Sequence, residues 1–110
     1  MKLATLFLLL IALAPAQQYR AFWADAFHRG FKSPAQVDQM IEDVVKAKGN
    51  AIFPQMRRRG DVYFLNSLEP PAEDSDYTPG FDALQYLIER AHARGIEVHA
   101  WFVVGPLWSS

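Results

Sequence analysis

Two carboxylates stand where the ends of predicted strands could present them to a substrate. Asp25 follows an apolar and aromatic run, and Asp61 follows three arginines and a glycine. Two-carboxylate hydrolysis, as of a glycosidic bond, needs acids about 5–9 Å apart, and no closely spaced acid pair is visible. The other nearby acids lie in a long loop and are expected to be solvated: Glu69, Glu73, Asp74 and Asp76. We therefore assign Asp25 and Asp61 to substrate binding and assign no catalytic residue.

The run Arg57-Arg58-Arg59 could bind an anion. No pattern of alternating basic and aromatic residues extends it, and the formal net charge of the chain is -1, so we expect no nucleic-acid partner. Strand periodicity directs Arg57 toward the same face as Gln55 and directs Arg58 outward. Arg57 is expected to hold a carboxylate through two hydrogen bonds, either Asp25, Asp61 or an anionic sugar. A purely structural ion pair is the alternative.

Aromatic side chains share the face of these polar residues. Trp23 and Trp101 have the same strand periodicity as Gln55, Arg57 and His99. Flat aromatic rings bind the C–H faces of sugars and leave a polar edge for hydroxyl groups. Packing in the core is the alternative for each tryptophan, but the set as a whole favours a carbohydrate cleft.

The histidines raise the question of a metal site. Asp25-x-x-His28 and the strand residue His99 could supply mixed ligands, while His92 is placed on a helix. The helical His-Glu-x-x-His spacing is absent, and the chain has no cysteine. We expect no metal and no other cofactor, although a metal-dependent hydrolase that uses Asp25 and His99 stays an alternative.

The elements that must position these residues alternate between strand and helix. A Ser-Pro-Ala-Gln capping box begins the first helix at residue 33, and apolar residues at helical spacing follow both there and after residue 80. A 23-residue connection separates the second strand from the second helix; loops of that length are usually functional or disordered. The predicted strands are Tyr19–Ala26, Ala51–Arg57 and Glu97–Val104.

Side-chain periodicity assigns a face to each strand residue. One set is apolar and suits a face covered by helices: Phe22, Ala24, Ile52, Pro54, Met56, Val98, Ala100 and Phe102. The other set is aromatic and polar, mainly toward the carboxyl ends, where parallel sheets bind ligands. We predict an α/β fold, the βαβαβ segment of a (β/α)8 TIM-type barrel, since such barrels need about 250 residues. A complete three-stranded sandwich is the alternative.

The first residues resemble a secretory signal peptide. A positive start at Lys2 precedes an apolar run from Leu3 to Leu13, and Ala14-Pro15-Ala16 fits a cleavage site. The run is too short for a membrane span of about 20 residues, so we expect no stable membrane insertion. A buried N-terminal helix is the alternative. Residues 1–16 are therefore predicted to be removed, which leaves a domain over residues 17–110 in a secreted or periplasmic protein.

Four segments together resemble the N-terminal third of the glycosyl-hydrolase-like family 10. They are Arg20 to Trp23, Asn50 to Arg57, Gly60-Asp61-Val62-Tyr63, and Ala91 to Phe102. The resemblance implies a (β/α)8 barrel that hydrolyses glycosidic bonds in bacterial cell-wall or related polysaccharide, with a peptidoglycan-type glycan as partner. It places Trp23, Gln55, Arg57, Asp61, His99 and Trp101 in the cleft, and the catalytic carboxylates on later strands, beyond residue 110. A non-catalytic carbohydrate-binding protein is the alternative.

Overall fold

A computed structural model describes residues 18–105 of the chain. Strands and helices alternate as the sequence predicts, and the elements are β1 Ala21–Ala24, α1 Pro34–Lys46, β2 Ala51–Arg57, α2 Ala83–His92, β3 Glu97–Val98 and β4 Trp101–Phe102. The predicted signal peptide lies outside the described residues. Within those residues, neither helix is long and apolar enough to cross a membrane.

Both helices begin where a side chain can accept a hydrogen bond from the first turn. The Ser33 hydroxyl accepts from the Gln36 amide at 3.2 Å, and Pro34 occupies the first turn, where no amide donor is required. Asp82 caps α2 by accepting from the Gln85 amide at 2.9 Å. The N-cap predicted at Ser33 is thereby confirmed, but the Gln36 side-chain oxygen accepts from the Gly30 and Lys32 amides and not from the Ser33 amide, so the capping box is only half formed.

The residues Lys46-Ala47-Lys48-Gly49 predict that α1 ends with glycine just past its last turn, and the structure forms this end differently. Lys48, with φ of 59°, takes the left-handed conformation there, and Gly49 does not. Gly49 is needed instead for close packing, because a Cβ atom there would lie 2.6 Å from the Phe22 ring and 2.7 Å from Val44. A side chain at Gly49 would therefore push β1 away from the helix.

Strand β2 is the centre of a parallel sheet. It pairs with β1 from Ala21↔Ala51 to Ala24↔Pro54, and with β3 and β4 on its other edge. The parallel α/β architecture is confirmed, and the closed (β/α)8 barrel stays a prediction. The prediction of a continuous third strand from Glu97 to Val104 is wrong, because β3 ends at Val98 and β4 covers only Trp101–Phe102. Within the pairing of β2 with β4, the register shifts between Gln55↔Trp101 and Arg57↔Phe102.

The core lies between the sheet and the two helices. Ile52 and Met56 of β2 are fully buried, and they pack with apolar residues of both helices: Val37, Ile41, Val44, Ala83, Leu87 and Ala91. Burying a side chain of this size stabilises the fold by about 1.5–3 kcal/mol. Phe102 was predicted on this face, but it is 45% exposed and stacks on Phe64 instead, because the register shift turns it away from the core.

Candidate active site

Aromatic rings form a continuous row across the face of the sheet opposite the core. Trp23 stacks on Phe53 with ring centroids 4.7 Å apart, and Phe53 stacks on His99 at 5.0 Å. Trp101 meets Trp23 edge-on at 5.4 Å. Trp23 is 66% exposed, so the row offers solvent a flat ring. The structure thus brings together Trp23, His99 and Trp101, which the sequence assigned to the site.

Phe53 and Tyr19 belong to this row, although the sequence interpretation did not assign them to the site. Tyr19 meets the His99 ring edge-on at 6.2 Å, and its hydrogen bond with Glu97 raises the pKa of the tyrosine hydroxyl. Glu97 also lies 3.2 Å from His99 Nε2. Phe53 has the strand periodicity of Gln55 and Arg57, and that signal was sufficient to place it in the row.

Asp25 lies where β1 ends and binds His28. The imidazole Nδ1 lies 2.8 and 3.0 Å from the two carboxylate oxygens, and Oδ1 also accepts from the Phe27 amide. This turn ends β1 before Ala26, so the strand is shorter than predicted. Burial raises the pKa of Asp25, but the hydrogen bonds from His28 and Phe27 outweigh burial, and the carboxyl pKa is lowered overall.

Gln55 shares the face of the row but is buried, with 3% of its surface exposed. Its side-chain oxygen accepts from the Ala26 amide at 2.8 Å. The amide of Gln55 therefore fixes the turn after β1, and the turn carries Asp25. In this structure Gln55 positions the turn that carries Asp25 and does not present its own polar atoms to a ligand.

Arg57 binds a carboxylate that the sequence interpretation did not connect with it. Its Nε donates to Glu69 Oε1 at 2.7 Å and to Oε2 at 3.0 Å, and its Nη2 donates to Oε2 at 2.8 Å. Nη1 donates to the Val103 carbonyl. The hydrogen bond from Arg57 lowers the pKa of Glu69. The bidentate geometry was predicted, but its expected protein partners were Asp25 or Asp61, and the solvated state predicted for Glu69 is wrong.

A second group of charged side chains lies on the core side of the loop that joins β2 to α2 and carries Glu69. Arg58 Nη2 lies 2.6 Å from Asp61 and 3.1 Å from Asp74, and Lys32 Nζ lies 2.9 Å from Asp74. The Tyr63 hydroxyl donates to Asp74 at 2.9 Å. Asp61, predicted to bind substrate, is only 1% exposed and lies inside this group, which we call the buried charge cluster: Lys32, Arg58, Asp61 and Asp74.

The predictions that Arg58 points outward and that Asp74 is solvated are wrong. Strand periodicity ends with β2, and Gly60, with φ of 84°, turns the chain back. Arg58 then folds under the loop and is 7% exposed. Burial raises the pKa of Asp74, but the hydrogen bonds from Lys32 and Tyr63 outweigh it, so that carboxyl stays ionised with a lowered pKa.

The site thus combines a flat aromatic row with polar groups at the carboxyl ends of the strands. Aromatic rings suit the C–H faces of sugars. The exposed Asp25–His28 pair and the partly exposed Arg57–Glu69 pair supply hydrogen-bonding atoms at the ends of β1 and β2. Within residues 18–105, no group of three or more histidines and acids comes close enough to hold a metal ion. The arrangement therefore offers a ligand both flat ring faces and hydrogen-bonding groups.

Comparison with known proteins identifies the family of the chain. The chain is 32% identical over 68 residues to glycosyl hydrolase YngK of Bacillus subtilis (strain 168), covering 58% of this chain and 13% of that protein. It is 33% identical over 57 residues to glycosyl hydrolase DigH of Escherichia coli (strain K12), covering 48% of this chain and 13% of that protein. The sequence pattern of the glycosyl hydrolase-like 10 family matches residues 18–107, and the chain belongs to that family.

Proposed function

We propose that this chain supplies one wall of the glycan cleft in a secreted or periplasmic glycoside hydrolase. Its substrate is bacterial cell-wall or related polysaccharide, and the reaction is hydrolysis of an O-glycosidic bond. The observation that carries the proposal is the row formed by Trp23, Phe53 and His99, with Trp101 at its edge. Membership of the glycosyl hydrolase-like 10 family supports the class of reaction.

In this proposal the described residues bind the glycan and do not break the bond. A sugar ring stacks on Trp23, while Asp25 and Arg57 hold their partners in place at the ends of the strands. Gln55 and Asp61 act through the turns and loop that they fix. The matched segments span only 13% of the relatives, and we place the two catalytic carboxylates on later strands, beyond residue 110.

The substitution Trp23→Leu, made in the full-length protein, tests whether Trp23 stacks on a sugar ring. Loss of a stacked aromatic ring is expected to weaken binding of chitotetraose, a neutral glycan with cell-wall sugar units, by about tenfold, or about 1.4 kcal/mol. Phe22→Leu is the matched control, because Phe22 precedes Trp23 in β1 but faces the helix. Equal affinities of Trp23→Leu and Phe22→Leu would contradict the proposal.

Release of reducing ends from peptide-free cell-wall glycan separates the hydrolase from its main alternative. Turnover that falls in parallel with binding in Trp23→Leu supports a hydrolase. Tight binding without any turnover by the natural protein would favour the non-catalytic carbohydrate-binding protein.

A further inference from the structure

The Arg57–Glu69 pair exposes its negative member more than its positive one. The side chain of Arg57 is 12% exposed and that of Glu69 is 35% exposed. Each of the three guanidinium nitrogens of Arg57 already has a partner in Glu69 or in the Val103 carbonyl. A ligand that approaches this end of β2 therefore meets carboxylate oxygens before it meets the cation.

The surroundings of Glu69 strengthen this negative character. Asp61 lies close enough to act on both members of the pair through its charge, since it raises the pKa of Arg57 and opposes ionisation of Glu69. The hydrogen bond from Arg57 outweighs that effect, so Glu69 is ionised. An ionised carboxylate only accepts hydrogen bonds, and it repels a second carboxylate brought within a few ångströms.

We propose that Glu69 forms a subsite for an uncharged sugar unit and disfavours a unit that carries a carboxylate. The oxygens of Glu69 accept hydrogen bonds from the hydroxyl groups of the sugar, and Arg57 is the positioning residue that holds the carboxylate in place. This inference rests on the proposed glycan-binding function. It differs from the sequence-based alternative that Arg57 itself holds an anionic sugar.

In a polysaccharide that alternates neutral and acidic units, such a subsite would also fix the register of the chain. The neutral unit would lie beside the loop of Glu69, and the acidic units would lie in the neighbouring subsites. Glu69 would then decide which glycosidic bond is placed between the catalytic groups, although it does not itself act in bond cleavage.

The test compares the affinities of the full-length protein for two ligands that differ in charge. Chitotetraose is neutral, and carboxymethylated chitotetraose has the same backbone with added carboxylates. We expect the natural protein to bind the neutral ligand at least tenfold more tightly. Glu69→Gln, which keeps the size of the side chain and leaves the Arg57 charge uncompensated, should reduce this preference to near unity or reverse it.

The matched control is Glu73→Gln, which makes the same substitution in the same loop. Glu73 is exposed and has no hydrogen bond or ion pair among the described residues, so its variant should keep the natural preference. A second measurement needs no variant: raising the salt concentration should narrow the preference of the natural protein, because salt screens charge repulsion and leaves the bulk of the carboxymethyl groups unchanged.

Three results would overturn the inference. Equal binding of both ligands by the natural protein is the first, and a preference that Glu69→Gln leaves intact is the second. A preference insensitive to salt is the third, since it would indicate steric exclusion. Failure of the natural protein and every variant to bind either ligand is distinguishable from these, because it would overturn the proposed function itself.

Discussion

Replacement of Asp74 by asparagine tests most directly how the loop between β2 and α2 is held against the rest of the protein. Asp74→Asn removes the negative charge that faces Lys32 at 2.9 Å and Arg58 at 3.1 Å. Both cations have side chains that are at most 8% exposed, and that of Asp74 is 10% exposed. Water therefore cannot replace the lost charge, while the amide preserves the size of the side chain and one acceptor oxygen.

The magnitude follows from what the two cations keep. Removing one partner of a buried ion pair costs about 3–5 kcal/mol. Arg58 retains Asp61 at 2.6 Å, and Lys32 retains Asp76 at 3.8 Å, so the loss is expected at the lower end, about 3 kcal/mol. That is a large fraction of the 5–15 kcal/mol that usually stabilises a folded protein.

Urea unfolding followed by tryptophan fluorescence measures this loss, and an unchanged slope would show that the unfolded surface is the same. Asp76→Asn is the graded control, because its side chain is 38% exposed and lies 3.8 Å from Lys32; its cost should stay below about 1 kcal/mol. If Asp74→Asn costs no more than Asp76→Asn, the buried charge cluster does not hold the loop.

The remaining predictions concern the adjacent arginines, acid unfolding and export. Arg57→Lys keeps the charge but loses the bidentate geometry, so glycan binding or turnover should fall about tenfold at an almost unchanged melting temperature, whereas Arg58→Lys should lower the melting temperature. Burial raises the pKa of Asp61, but the hydrogen bond from Arg58 outweighs it and the pKa is lowered, as for Asp74. The stabilisation that results from the lowered pKa is present above the ordinary aspartate pKa of 3.8 and is lost as the pH falls below that value. In urea titrations from about pH 5 downward, the free energy of unfolding should therefore decrease less steeply in Asp74→Asn than in the natural protein. N-terminal sequencing of exported protein should begin at Gln17, and retention of the initiator methionine would contradict the predicted cleavage.

Local signals in the sequence were sufficient for the helices and for most of the sheet. The N-cap at Ser33 and the apolar spacing of α1 act within a few residues of one another, so the sequence alone predicts where the helix begins. Strand β2 was predicted with its observed bounds, Ala51–Arg57, because its apolar face is continuous. The same periodicity correctly collected Trp23, His99 and Trp101 on one face.

Periodicity failed where the backbone leaves the regular strand. Arg58 follows β2 directly, and a strand would direct it away from Arg57; the turn at Gly60 instead carries it under the loop. The prediction for Phe102 fails for a related reason, since the register shift between Gln55 and Arg57 is set by pairing with another segment. The register shift has no signal in the residues next to it, because it is decided by tertiary contacts. Gly60 does signal a turn, but it does not indicate on which side of the turn Arg58 lies.

The partners of Arg57 and Arg58 could not be predicted from the sequence either, because each partner is determined by how the loop folds. Glu69 is twelve residues from Arg57 and Asp74 is sixteen from Arg58, and the loop contains acids that charge alone cannot tell apart. Glu73, between those two, remains exposed. Only the folded loop distinguishes an acid that binds an arginine from one that faces water.

Adjacent arginines on opposite sides of the chain therefore attach one loop to two different parts of the protein. Arg57 binds Glu69 on the face of the aromatic row, and Arg58 binds Asp74 on the side of the core. The loop cannot move Glu69 far without straining the segment that carries Asp74, because only four residues lie between the two acids. The stability of the buried charge cluster and the position of the Glu69 carboxylate are thus linked through the loop itself.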